Sequence, residues 1–231
     1  MKIIIGALFA LVSSAALANE IYIQQIGDNL ALTISQTGTG NKIGDLSTTT
    51  TTPAILSGDA MTFSITQNGD FNTIAATIKG NTYSGAWVFN GNSNTVDLTC
   101  DATAGVNCET VTVDITVNGN SNDFYVYIGE NKIADNLVAD FTIDGDGNVI
   151  TANLDATNAD ITFVIDNSLA ASGNTITIDQ DDSGGVNGHS ITYDLTGGGN
   201  TIGITQSGLT DKTIDITSTA NDGTVTITQT D

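Results

Sequence analysis

Few residues in this chain have the type and spacing for chemistry. The only histidine, His189, sits in a Gly/Asp/Ser-rich stretch, and we expect it to be exposed rather than to act as a base. Metal-ligand spacing occurs once, in Asp144-Gly145-Asp146-Gly147-Asn148 with Asp155 at the twelfth position. That order matches part of a calcium-binding EF-hand loop, but Val149 stands where the loop needs glycine and no helix-forming segment flanks it. The default reading is a solvated acidic face with no cofactor, calcium on this loop being the alternative. Cys100 and Cys108 are the only cysteines. In an exported chain an even count reads as a disulfide, here closing a short loop from Asp101 to Asn107. With neither nucleophile–base spacing nor a metal set, the chain is not expected to be an enzyme. Polysaccharide lyases built on stacked rungs use larger coils, and a chain without arginine is poorly equipped to hold a polyuronate.

The elements that must carry these residues begin after an export signal. Lys2 and the apolar run Ile3 to Leu17 precede Ala16-Leu17-Ala18, the small-x-small pattern of a signal peptide, with cleavage expected after Ala18. The run, about 15 residues, is shorter than the roughly 18 that read as a membrane helix, and no later segment is a candidate span. The chain carries 26 Asp+Glu against 5 Lys+Arg, a formal charge of -21, and all five cations are lysines (2, 42, 79, 132 and 212). Without a basic patch it has nothing to neutralise phosphates, so nucleic-acid binding is not expected. Regularly spaced β-branched residues separate it from a disordered acidic tail.

The regularity is a repeat. Gly-x-x-Asn occurs at Gly38/Asn41, Gly69/Asn72, Gly91/Asn94, Gly119/Asn122, Gly145/Asn148 and Gly197/Asn200, with a variant at Gly173-Asn174. Apolar residues alternate on both sides of each copy, as in Val111, Val113, Ile115 and Val117 before Gly119 and Phe124, Val126 and Ile128 after Asn122. Period two is half-buried strand, and a recurring turn makes each unit strand–turn–strand. One such unit has an apolar face and two unpaired edges, so units must stack. The fold expected is an all-β solenoid of strand-turn-strand rungs repeating every 22–28 residues or so. Asparagine and glutamine at equivalent places would form amide ladders along it. Glycine was expected at the turn for its access to positive φ. The organisation expected is a signal peptide at 1–18, a first rung at 19–43, a Thr-rich insertion or linker at 44–58 containing Pro53, and the solenoid at 59–231.

Gln36-x-Gly38-x-x-Asn41 and Gln67-x-Gly69-x-x-Asn72 match the centre of the curlin repeat of bacterial curli subunits, which this chain resembles. Gln25-Ile26-Gly27-Asp28-Asn29 is one residue short of that pattern, and Gln206-x-Gly208-x-x-Asp211 has Asp for Asn. Gln180 and Gln206 stand where the family places a second glutamine. The chain departs from the pattern where Val117, Ile143 and Leu195 replace glutamine. The resemblance implies a secreted amyloid-type subunit that stacks end to end into adhesive fibres, with other fibre subunits or a secretion apparatus as further partners. The termini agree, since Ile21-Tyr22-Ile23 and residues 224–230 read as extended, uncapped edges. The competing reading is a solenoid adhesin that does not polymerise, using Trp87 or the Tyr125/Tyr127 pair on a lateral face.

Overall fold

A computed structural model describes residues 19–38, 40–44, 54–91, 93–100, 108–118, 121–129, 134–145, 147–167, 174–181, 189–197, 200–207, 212–219 and 222–230. Residues 1–18, expected to be a signal peptide, and Gly119, Asp146 and Gly173 lie outside them. Every regular element among the described residues is a strand, in chain order β1 (Asn19–Ile21), β2 (Gln24–Ile26), β3 (Ala31–Thr37), β4 (Asn41–Ile43), β5 (Ala54–Ser57), β6 (Met61–Asn68), β7 (Thr73–Lys79), β8 (Thr82–Asn90), β9 (Ser93–Cys100) and β10 (Thr110–Asn118). There follow β11 (Ser121–Ile128), β12 (Asn136–Asp144), β13 (Val149–Leu154), β14 (Ala159–Asn167), β15 (Asn174–Asp181), β16 (His189–Gly197), β17 (Asn200–Ser207), β18 (Lys212–Ser218) and β19 (Thr224–Thr230).

The strands form two parallel sheets. Those preceding each Gly-x-x-Asn turn make an 8-stranded sheet, β3-β6-β8-β10-β12-β14-β16-β18. Those following it make an 11-stranded sheet, β1-β4-β7-β9-β11-β13-β15-β17-β19, with β2 and β5 alongside. Its strands occupy nine positions, because β1 and β2 share the first and β4 and β5 the second. The chain is a parallel β-solenoid of strand-turn-strand rungs, as its repeat requires. Parallel strands cannot be joined by tight hairpins, and here each crossover is a turn plus the facing strand.

Successive rungs differ by 22 residues at their shortest (Met61↔Tyr83, Leu137↔Ala159) and by 31 at their longest (Ala31↔Thr62). The even step of 26 along Asn122, Asn148, Asn174 and Asn200 is not one uniform unit. From β12 to β14 the register step is 22, and from β14 to β16 it is 30 (Ala159↔His189). The turns between the sheets absorb the difference in the later rungs, and the longest step reflects extra residues between Ile43 and Ala54.

In-register stacking turns the period-two pattern into continuous apolar columns. One runs Ile34, Ile65, Trp87, Ile115, Phe141, Phe163, Tyr193, Ile216. In it Phe141 and Phe163 stack with centroids 4.5 Å apart and planes 6° from parallel. Facing it, Ile43, Ile74, Val96, Phe124, Ile150, Ile176 and Ile202 are all buried. Tyr83 is buried as well, over Gly85, where a Cβ would collide with its hydroxyl oxygen. Burial pushes the Tyr83 and Tyr193 hydroxyls upward, so both stay neutral.

The expected boundary at 44–58 is revised. Ala54–Ser57 is strand β5, paired to β2 and β7, with Ala54 and Leu56 fully buried. Ile43 pairs with Ile74 and Ala54 with Ala76, so residues 44–53 enter in the middle of a strand, at the place held by Ala75 alone in the next rung. Pro53 and the threonine run, 45–53, lie outside the described residues. The first rung and the later repeat form one stack, joined through β4–β7 and β3–β6.

Candidate assembly surfaces and buried amide ladders

The turn asparagines build the central feature of the site. Asn41, Asn72, Asn94, Asn122, Asn148, Asn174 and Asn200 are all buried at the corner between the sheets. Asn94 Nδ2 donates to Asn72 Oδ1 at 2.7 Å, Asn122 Nδ2 to Asn94 Oδ1 at 2.8 Å, and Asn148 Nδ2 to Asn122 Oδ1 at 2.8 Å. Beyond that point the direction reverses, with Asn174 Nδ2 donating to Asn200 Oδ1 at 2.8 Å. The reversal leaves Asn148 Oδ1 buried without a partner. A second ladder, exposed to water, joins Asn118, Asn90 and Asn68 at 2.8 Å per step. An amide carries both donor and acceptor, so one residue type repeated at the rung spacing satisfies itself along the axis.

The turn glycines have two causes. Gly38 and Gly197 have positive φ (134° and 136°), as expected, but Gly69 and Gly91 do not. What excludes a side chain at Gly69 is the Gly38 carbonyl and the Asn41 amide beneath it. At Gly91 it is the Gly69 carbonyl and Asn72 Oδ1. The glycine column exists because backbone of one rung packs directly on backbone of the next.

Glutamines form two columns, not one. Gln36 and Gln67 lie before the turn in the 8-stranded sheet, with Gln67 Nε2 donating to Gln36 Oε1 at 2.6 Å. Their column continues as Phe89, Val117, Ile143, Ile165 and Leu195. Gln25 and Gln206 belong instead to the other sheet, at the far end of the rung. There the column runs Gln25, Leu56, Ile78, Cys100, Ile128, Leu154 and on to Gln180, Gln206 and Gln229. Gln206 donates to Gln180 at 3.1 Å and Gln229 to Gln206 at 3.3 Å. The segments at 25–29 and 206–211 are therefore not copies of the Gly-x-x-Asn turn. Gly27 belongs to the opposite turn, where its N–H donates to the Ser57 carbonyl and Asp28 accepts the Asp59 N–H at 3.0 Å. Gly208 and Asp211 lie outside the described residues.

The two glutamine columns are thus apolar in the middle rungs and amide-bearing toward the ends, and the ends are open. Among the described residues nothing pairs with the outer edges of β1–β2, β3, β18 or β19. Tyr22 and Ile26 at one end and Val225 and Ile227 at the other are between 44% and 71% exposed. Val225 and Ile227 continue columns that are buried one rung earlier, whereas Tyr22 and Ile26 alternate with the half-buried Ile21, Ile23 and Gln25 and face outward.

The calcium set does not assemble. Asp144 and Asp155 stand at opposite ends of β13, while Asn148 points into the buried ladder, and Asp146 lies outside the described residues. No group of three His, Cys, Asp or Glu side chains that could hold a metal occurs among the described residues. Cys100 and Cys108 are bonded, Cα atoms 6.0 Å apart, and both are buried. Tyr125 and Tyr127 face outward on β11, beside Asp97 and Asp123. Burial raises the Asp97 carboxyl above its ordinary value, and the Asp123 charge foremost raises the Tyr125 phenol. Trp87 is fully buried, its Nε1 donating to the Phe63 carbonyl at 3.1 Å, which removes it from any sugar-stacking surface.

No protein family matches the chain, and none of the curated proteins or solved structures compared with it matches either.

Proposed function

We propose that this chain is an exported architectural protein, a β-solenoid rod that acts outside the cell as an adhesive or matrix component by joining copies end to end into filaments. The observation that carries the reading is the pair of open ends whose columns agree. Ile21, Ile23 and Gln25 occupy the same three columns as Val225, Ile227 and Gln229. Leu32 and Ile34 share columns with Ile214 and Ile216. Unpaired parallel edges are templates for further strands, and side chains that match across them set the register. The curlin-type glutamines and asparagines support the same reading, since their ladders are indifferent to where one copy stops and the next begins. Outward aspartates such as Asp114 and Asp140, which face each other across adjacent rungs, oppose association until salt screens them.

The test is to purify the chain from Asn19 onward and follow it by light scattering and negative-stain electron microscopy at low and high salt. Unbranched filaments, forming faster at high salt and seeded by preformed ones, are expected. A species that stays monomeric at all ionic strengths supports a second reading, a self-contained solenoid adhesin. That reading is favoured by the diagonal pair Tyr125 and Val149 on the lateral face, 36% and 39% exposed.

A further inference from the structure

The two sheets do not contain the same number of strand positions. Among the described residues the sheet after the turn has nine and the sheet before it has eight, because β1–β2 is a half-rung with no partner strand described before it. Resting on the end-to-end reading above, this inequality limits how a second copy can join. If β1–β2 of the next copy simply stacks on β19, the nine-position sheet continues but the eight-position sheet skips one place. A strand-wide slot then opens between β18 of one copy and β3 of the next. Its two edges would be left without backbone partners beside an open core, an arrangement that buried backbone groups rarely tolerate.

Shifting the second copy by one rung removes the slot and places its half-rung where β19 lies. β19 sits on β17 with Thr201↔Thr224, Ile202↔Val225, Gly203↔Thr226, Ile204↔Ile227, Thr205↔Thr228 and Gln206↔Gln229. The half-rung fits that seat through the same columns. Ile21 falls on Ile202, Tyr22 on Gly203, Ile23 on Ile204 and Gln25 on Gln206. Gly203 has open space around its Cβ position, room for a tyrosine stacked over it. Asn19 comes opposite Asn200, where the displaced segment offers Gly223, just before β19. In the other sheet β3 then meets β18 directly, with Leu32 on Ile214 and Ile34 on Ile216.

We propose that copies of this chain join by strand replacement: the half-rung Asn19–Ile26 of one copy displaces β19 of the next from β17, so that both sheets run on without a vacancy. β19 is a placeholder that covers the docking edge of the free chain. It is the strand best suited to leave, since all of its residues are exposed and it is held along one edge only. The exchange of β19 for β1–β2 is near neutral in strand pairing, and the new β3–β18 contact supplies the driving force.

The test uses outward-facing register partners, whose Cα atoms in adjacent parallel strands lie within disulfide reach. Chains carrying Gln24→Cys are mixed, under assembly conditions and then oxidation, with chains carrying Thr205→Cys or, separately, Thr228→Cys. Strand replacement predicts a covalent heterodimer with Thr205→Cys and none with Thr228→Cys. The reverse pattern overturns it in favour of stacking on β19, while leaving the filament reading intact. Filaments without either cross-link overturn it as well, and a failure to assemble at all removes both. As a second measurement, Ile227→Asp, which loosens β19, is expected to shorten the lag of assembly. A longer lag would mean that β19 is itself the docking edge.

Discussion

Asn122 lies in the middle of the buried ladder and tests whether that ladder stabilises the rod or merely accompanies it. Its Nδ2 donates to Asn94 and its Oδ1 accepts from Asn148, each at 2.8 Å. Asn122→Ala removes both bonds and strands one acceptor and one donor in a corner where all three residues are buried. Leaving a buried polar group unsatisfied costs about 1–3 kcal/mol, so two give roughly 2–6 kcal/mol. Asn118→Ala is the control. It breaks a bond of equal length to Asn90 on the exposed ladder, where water replaces the lost partner, and its expected effect is within about 0.5 kcal/mol. Guanidinium unfolding followed by the single tryptophan, buried in the neighbouring rung, reads both variants. With a slope of about 4 kcal/mol per molar, 4 kcal/mol appears as a midpoint lowered by about 1 M. Equal midpoints for the two variants would refute the reasoning, because the interior ladder would then be no more valuable than one in water.

Gly91→Ala drives a Cβ into the Gly69 carbonyl and Asn72, and a loss of several °C in Tm or failure to fold is expected. Gly203→Ala meets open space and has no positive φ, so it should be neutral or stabilise by about 0.4–1 kcal/mol; thermal melts of both variants check this. Burial raises the Asp97 carboxyl, so between its unfolded and folded values the folded chain holds the proton more tightly than the unfolded one. That contribution is fully present below the ordinary aspartate value of 3.8 and is lost as pH rises through the folded value. Asp97 is exposed on β9, where water weakens the effect, so Asp97→Asn is expected to raise Tm only slightly at pH 7 and to leave it unchanged near pH 3. Replacing Cys100 and Cys108 by serine opens a loop with a sequence separation of 8 residues, which chain entropy puts at about 2.5 kcal/mol. Denaturant titration under oxidising conditions gives the comparison.

Much of the fold was legible because stacking copies one rung's pattern onto the next. The alternation of Val111, Val113, Ile115 and Val117 names a buried face without any knowledge of its neighbours, and the Gly-x-x-Asn spacing names the corner. Three features were not legible, each for a physical reason. Ala54–Ser57 is only 4 residues long and follows Pro53 and a threonine run, so it looked like linker until β2 and β7 on either side fixed it. Gln25 and Gln206 carry the same local motif as Gln36, yet they sit at the other end of the rung, because a two-turn repeat uses glycine at both corners. The calcium pattern of Asp144 to Asp155 presumed a compact loop, whereas a strand, β13, separates its ends. The positive φ expected of the turn glycines holds at Gly38 and Gly197, but Gly69 and Gly91 are glycine for another reason. Positive φ is a local property that sequence suggests, but the approach of Gly69 to the Gly38 carbonyl exists only once rungs are stacked.

The strand interrupted between Ile43 and Ala54 has a use beyond the native chain. Its two halves keep register with β7 as though Ala75 alone separated them, so the exit and re-entry points lie about 7 Å apart at strand rise. A foreign segment whose ends meet at that distance can be grafted there without disturbing either neighbour, and each doubling of its length costs only about 0.6 kcal/mol in closure entropy. Extra length at this place, fixed along the axis, therefore leaves the register of both halves with β7 unchanged.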